Sequence, residues 1–142
     1  MNLLLIAMAA FMPLISSSSA ETVGDPVNLP NLFKAIRKAE TGGQPNEGVG
    51  AIGDGGRSIG PYQISFAYWQ DAGMPYGSWT DCLTNKEYSE EVMRRYWKRY
   101  CPAAFNNGDW ETLSRIHNGG PKGHKKKATL PYWQKVKGYM GL

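Results

Sequence analysis

Apolar residues recur at helical spacing over residues 29–40, where Leu29, Leu32, Phe33, Ile36 and Ala39 fall on one face. That pattern predicts a helix ended by Thr41-Gly42-Gly43, since glycine enters the left-handed C-cap conformation without strain. Over the next stretch the pattern changes. Residues 42–60 hold eight of the chain's 17 glycines, a density that excludes a helix and predicts turns and a tight hairpin, with strands at 49–52 and 58–64. Such a hairpin is marginal alone and must pack on helices. Ser65 is placed to cap a short helix through Phe66, Tyr68 and Trp69 that ends near Gly73, and a loop with Pro75, Gly77 and Trp79 follows.

The second half of the chain is helical in pattern. Thr84-Asn85-Lys86-Glu87 matches a capping box and opens a helix to about Tyr100. Its stripe of Tyr88, Val92, Tyr96 and Tyr100, with Met93 and Trp97 beside it, reads as core, and Arg94, Arg95, Lys98 and Arg99 read as a solvated face. Asp109 is placed to cap a helix through Trp110, Leu113 and Ile116 that stops at Asn118-Gly119-Gly120-Pro121. A last helix starts at Thr129 or Leu130-Pro131 and carries Trp133, Val136 and Tyr139. One helix, a glycine-rich hairpin and four further helices make an α+β chain without internal repeats, mostly helical, with a small hairpin lobe.

The first twenty of the 142 residues stand apart: they carry no charge, and a short apolar run broken by Pro13 leads to Ser18-Ser19-Ala20. This reads as a secretory signal peptide over 1–20, followed by a polar leader over 21–28 and one domain over 29–142. No other segment is apolar enough to span a membrane. Sixteen Lys and Arg against 12 Asp and Glu give a net charge of +4, compatible with anionic surfaces such as bacterial walls and with no particular affinity for nucleic acid. For an oxidising destination, the two cysteines, Cys82 and Cys101, predict one disulfide. Two cysteines and two histidines without zinc-like spacing predict no metal, and no motif calls for a cofactor. The expected state is a secreted monomer.

Three acids lie in or just before the glycine-rich region: Glu40, Glu47 and Asp54. A helix end followed by a hairpin would set Glu40 on one wall of a cleft and Asp54 on the other, and two carboxylates across a cleft are the requirement of glycoside hydrolysis. Glu40 stands where cations are normally favoured, at the negative pole of a helix dipole. There the dipole and burial both favour the neutral acid that a proton donor must be. Ser58 and His117 do not form a recognisable hydrolase pair, because no nucleophile-elbow motif is present. Arg115-Ile116-His117-Asn118-Gly119-Gly120 reads either as a helix C-cap or as a wall of the cleft. Tyr62, Tyr68, Trp69 and Trp79 read either as core or as sugar platforms, and His124 to Lys127 reads as a solvated loop that could attract an anionic wall.

The segments KAETGG (38–43), GDGGRSIGPYQI (53–64), YWQDAG (68–73), WTDC (79–82), MRRYWKRYC (93–101) and RIHNGGPKG (115–123), in this order, resemble invertebrate-type lysozymes, the destabilase family. The resemblance runs from about Leu32 to Trp133, and its most specific parts are Ser58-x-Gly60-Pro61-Tyr62-Gln63-Ile64 and the stretch from Arg115 to Gly123. It implies a lysozyme-like fold and hydrolysis of the β-1,4 bond between N-acetylmuramic acid and N-acetylglucosamine in bacterial peptidoglycan. Glu40 matches the family's proton donor and Asp54 its second carboxylate. Ser58, Tyr62, Gln63, Ile64, Ser65, Tyr68 and Trp69, with His117, Asn118 and Gly119, match segments that line its sugar-binding cleft.

Cys82 and Cys101 match positions that the family is expected to pair, in a chain with far fewer cysteines than most members. The Asp54 loop also departs from the family's wording, Met-Asp-Val-Gly-Ser, and reads Ile52-Gly53-Asp54-Gly55-Gly56. Gly56 and Ser65 stand where some members carry a Ser and Lys credited with isopeptidase activity, so that activity is not expected here. Glu40-Thr41-Gly42-Gly43 is also similar to the Glu-Ser-Gly-Gly of lytic transglycosylases, which need one acid. A catalytically idle, wall-binding antimicrobial homologue is the third reading.

Overall fold

In a computed structural model, residues 24–142 are described; the expected signal peptide and residues 21–23 of the expected leader lie outside the described residues. The first helix, α1, runs Leu29–Thr41, with proline in its first turn, where the missing N–H costs nothing. Gly42 ends it at φ 61°, and its N–H closes on Lys38 O at 3.0 Å. Leu29, Leu32, Phe33, Ala35 and Ile36 are all buried. The helix packs on α6 (Leu130–Met140), which in turn packs on α5 (Trp110–Gly119).

Three two-residue strands follow α1: β1 (Ile52–Gly53), β2 (Ser58–Ile59) and β3 (Ile64–Ser65), antiparallel in the order β1-β2-β3. The register pairs Ile52 with Ile59, and Ile59 with Ile64. The single strand expected over 58–64 is therefore two strands. The break is Gly60, at φ 76°, whose N–H bonds to Ala51 O at 2.7 Å. A side chain at this position would collide with the Cys82 carbonyl, so the close approach of the two segments requires glycine.

Ser65 caps α2 (Phe66–Asp71) by accepting from the Tyr68 N–H at 3.1 Å, as the sequence predicts. The next capping box is not Thr84 with Glu87. It is Ser78 with Asp81, opening the turn Trp79–Leu83, and α3 (Lys86–Tyr100) starts from Asn85, whose side chain accepts from the Tyr88 N–H at 2.9 Å. Thr84 ends the Trp79–Leu83 turn, so the position before α3 falls to Asn85, a favoured N-cap residue. A further helix, α4 (Pro102–Asn107), has no counterpart among the predicted elements. It is one and a half turns long, with Phe105 its only fully buried residue, so no periodic signal exists. Asp109 caps α5 as expected, accepting from the Thr112 N–H at 3.1 Å.

The core joins both lobes. The Phe33 ring stacks on Trp97 at 5.7 Å and meets Tyr62 edge-on at 5.8 Å. Trp97 is fully buried, and its indole N–H is satisfied by Leu113 O at 3.0 Å. Of the residues expected inward on α6, Trp133 and Val136 are buried but Tyr139 is exposed, and Met140 fills the core position instead.

Cys82 and Cys101 are free thiols, not a disulfide. The Ser89 hydroxyl donates to Cys82 O at 3.3 Å, fixing Cys82 beside the first turn of α3. Cys101 follows the last turn of that helix, about 18 Å along its axis from Ser89. A disulfide tolerates a Cα separation of only about 4.4–6.8 Å. Burial pushes the Cys82 thiol up to about 11 and the Cys101 thiol up to about 12. Among the described residues, no helix is long and apolar enough to cross a membrane.

Candidate active site

Glu40 lies in the last turn of α1, with its side chain 18% exposed. Its Oε1 accepts a hydrogen bond from the Tyr132 hydroxyl at 2.8 Å and lies 3.3 Å from His117 Nε2. His117 belongs to the last turn of α5 and is buried, with 3% of its side chain exposed. Its Nε2 is also 3.2 Å from Tyr62 O, and its Nδ1 is 3.1 Å from the Tyr68 hydroxyl. A carbonyl can only accept, so the network assigns the hydrogen to Nε2. In the neutral ring Nδ1 is then an acceptor, and Tyr68 donates to it.

The two tyrosines are held as neutral donors. Burial raises the Tyr68 phenol well above its ordinary value, and the neighbouring Tyr96, stacked at 3.8 Å, adds to it. Burial likewise raises the Tyr132 phenol, followed by the charge of Glu40 beside it. Three helices thus meet at one carboxyl: α1 gives Glu40, α6 Tyr132 and α5 His117, which the Tyr62 carbonyl in the turn after β2 holds in place.

Asp54 occupies a different setting. It sits in the turn Asp54–Gly56 between β1 and β2, at φ 55°, with its side chain 64% exposed. Arg57 donates to it twice, Nη2 to the carboxylate at 3.1 Å and Nε to the main-chain oxygen at 3.0 Å. An ion pair this exposed fixes little. No hydrogen bond among the described residues joins Asp54 to Glu40 or His117. Glu47, the third acid, is a tie between elements: it bonds Lys86 at 2.6 Å and Arg37 at 3.3 Å. The Lys86 hydrogen bond, then the Arg37 charge, hold its carboxyl below the usual range.

The remaining predicted cleft residues divide by exposure. The side chains of Tyr62 and Ile64 are fully buried, so only their main chains can meet a ligand. The Tyr62 hydroxyl is held between Arg37 and Glu90, and Ile64 O accepts the Trp79 indole N–H at 2.9 Å. Tyr68 and His117 are likewise buried; His117 lies against Glu40, and the Tyr68 hydroxyl meets His117 on its far side. Gln63 turns back to donate to Gly60 O at 2.9 Å, and Ser65 is engaged as the α2 cap. Ser58 is paired on both sides within the sheet. Trp69 is half-buried and donates to the Tyr88 hydroxyl at 2.9 Å. Asn118 is exposed, and Gly119 O accepts from Lys126 Nζ at 2.7 Å.

Beside the Asp54 turn lies an open recess formed by Gly56, Arg57, Ser65, Phe66, Ala67 and Trp79. Phe66 is half exposed, 5.6 Å from the Trp69 ring and 5.7 Å from the Trp79 ring. A second recess, lined by Lys34, Arg37, Lys38 and Glu47 among others, does not include Glu40. Tyr132 was missed by the sequence reading. The available signal was its place four residues before Val136, on the inner side of α6, where a tyrosine hydroxyl needs a partner.

The sequence profile of the Destabilase family matches residues 32–138, and the chain belongs to this family. It is similar to Lysozyme 1 of Crassostrea virginica, 33% identical over 122 residues, which cover 85% of this chain and 65% of that protein. The chain therefore spans a little under two thirds of that relative's length. It is also similar to Invertebrate-type lysozyme 6 of Caenorhabditis elegans, 34% identical over 120 residues, covering 75% of this chain and 83% of that one. In three dimensions it resembles the crystal structure of Aeromonas hydrophila PliI in complex with Meretrix lusoria lysozyme, with a TM-score of 0.63 and 34% identity over 76% of this chain and 87% of that one. The fold is thus lysozyme-like, as the sequence motifs imply.

Proposed function

We propose that this protein is a secreted muramidase that hydrolyses the β-1,4 bond between N-acetylmuramic acid and N-acetylglucosamine in bacterial peptidoglycan. The observation that carries the reading is the Glu40 carboxyl, mostly enclosed at a helix end yet open to solvent on one side, and held by Tyr132. An acid so placed can give its proton to a glycosidic oxygen as the C–O bond breaks. Asp54 supplies the second carboxylate, across the hairpin turn, to stabilise the oxocarbenium-like sugar or to guide the incoming water. The ring faces of Phe66 and Trp79 offer an apolar bed for a sugar, and Arg57 beside them offers a cation to a carboxylate of the wall polymer. The +4 net charge favours approach to an anionic wall. Secretion follows from reading residues 1–20 as a signal peptide.

One observation favours a second reading. Asp54 is exposed, paired with Arg57 and outside the Glu40 network, which is compatible with one-acid lytic transglycosylase chemistry. Product analysis on purified peptidoglycan decides between them. Hydrolysis releases reducing muramic acid ends, whereas transglycosylation releases anhydro ends lighter by one water. Anhydro products formed at full rate by Asp54→Asn would replace the hydrolase reading. Absence of either product would support the idle, wall-binding alternative.

A further inference from the structure

Two side chains, Tyr132 and His117, meet the Glu40 carboxyl from distant helices. The Tyr132 hydroxyl donates to Glu40 Oε1 at 2.8 Å, and His117 Nε2, whose hydrogen bond goes to Tyr62 O at 3.2 Å, lies 3.3 Å from the same oxygen. His117 has no freedom to turn away. Its Nε2 is shared with Tyr62 O, its Nδ1 is held by Tyr68, and its ring lies edge-on to Tyr68 at a centroid distance of 5.3 Å. With Oε1 accepting from Tyr132 and hemmed in by His117, Oε2 is the oxygen left to carry a transferable proton.

On this basis, and resting on the hydrolase reading above, we infer that Tyr132 and His117 are positioning residues for proton donation: the Tyr132 hydroxyl fixes the Glu40 carboxyl so that the acid proton sits on Oε2, His117, itself locked by Tyr62 O and Tyr68, backs that oxygen at 3.3 Å, and the two stabilise the carboxylate left behind. In the step itself the Oε2–H bond breaks and an O–H bond forms on the glycosidic oxygen. The C–O bond to the departing sugar breaks, with its electron pair going to that oxygen. Glu40 becomes negative, and the hydrogen bond from Tyr132 becomes charge-assisted, with the polar Nε2 edge of His117 3.3 Å from the new charge. Both interactions are therefore stronger after proton transfer than before it, which lowers the barrier instead of tightening the ground state. His117 acts from behind Glu40, and with 3% of its side chain exposed it does not touch the sugar.

The test is steady-state kinetics on a soluble peptidoglycan fragment with Tyr132→Phe, His117→Gln, His117→Ala and Glu40→Gln, each with its thermal midpoint. Tyr132→Phe keeps the ring and removes only the donor; it is expected to lower kcat by about tenfold to a hundredfold while KM stays within about twofold. His117→Gln, whose amide N–H can stand in for Nε2–H, should keep more of kcat than His117→Ala. A purely structural role would lower the midpoints and leave kcat of the folded fraction unchanged. Wild-type kcat in Tyr132→Phe, or equal kcat in the two His117 variants, with Glu40→Gln inactive, overturns the inference and leaves the hydrolase reading standing. Full activity in Glu40→Gln overturns both.

Discussion

Tyr132 and Glu40 lie 92 residues apart in sequence and meet through a 2.8 Å hydrogen bond that ties the end of α1 to the start of α6. The packing of those two helices therefore sets where the acid points. Ile36, fully buried one turn before Glu40, is the residue whose truncation should loosen this most directly. Ile36→Ala should cost roughly 2–5 kcal/mol, and Ile36→Val roughly 0.5–1.5 kcal/mol, read as urea midpoints at unchanged m. Ile36→Ala should also lose activity beyond its loss of folded protein, because Glu40 moves with the helix end.

Gly60 is the position in the hairpin lobe where a methyl group should do most harm. Its φ of 76° is strained for any other residue, and an added side chain would strike the Cys82 carbonyl. Left-handed geometry alone costs roughly 1–2 kcal/mol. Gly55, at φ 65° in open space, gives the comparison. Gly60→Ala is expected to be clearly more destabilising than Gly55→Ala in chemical denaturation; equal costs would mean that the contact with the Cys82 segment is not held in solution.

The free thiols predict alkaline sensitivity. The Cys82 thiol is raised by burial from its ordinary 9.0 to about 11, and Cys101 by burial to about 12. Between these values the folded chain keeps protons that the unfolded chain releases, so stability falls as pH rises. This contribution is fully present below pH 9.0 and lost on the way to about 11 and about 12. Thermal midpoints should drop across that window, and replacing Cys82 and Cys101 with alanine should lessen the drop between pH 9.0 and about 11, while the buried tyrosines, raised from 10.0, keep the rest of it. At neutral pH, iodoacetamide should modify both cysteines in denaturant and be slow in the folded protein. A nonreduced mass two hydrogens below the dithiol value would contradict the free-thiol state.

The cap at Asp109 should behave as an ordinary helix cap. Its carboxylate accepts from the Thr112 N–H at 3.1 Å and the Thr112 hydroxyl at 2.7 Å. Asp109→Ala should cost about 0.5–2 kcal/mol by thermal denaturation, while Asp109→Asn should recover most of it. α5 also carries His117, so the alanine variant gives a sensitive check on whether helix stability reaches the site.

The long elements were legible because their signals are local. α1, α3 and α5 show apolar periodicity with a cap at one or both ends, and Gly42, Ser65 and Asp109 act where the sequence places them. α4 was not legible, since one buried aromatic in six residues has no period. The hairpin split into three two-residue strands because a close contact with Cys82, invisible along the chain, bends it at Gly60. At the site, Glu40 stood out through its place at the negative end of a helix. The role of its neighbours did not. His117 carried an ambiguous helix-end signal and Tyr132 almost none, because both act through contacts between distant helices.

The most direct measurement of the central claim is clearance of a bacterial wall suspension by wild type and by Glu40→Gln. The variant keeps the side chain's shape and a hydrogen-bond acceptor for Tyr132, so it should fold with a midpoint close to wild type. General acid catalysis is worth about 10²–10⁴ in rate, so its lysis should fall to background. A folded Glu40→Gln protein that clears walls at the wild-type rate would contradict the assignment of Glu40 as the acid.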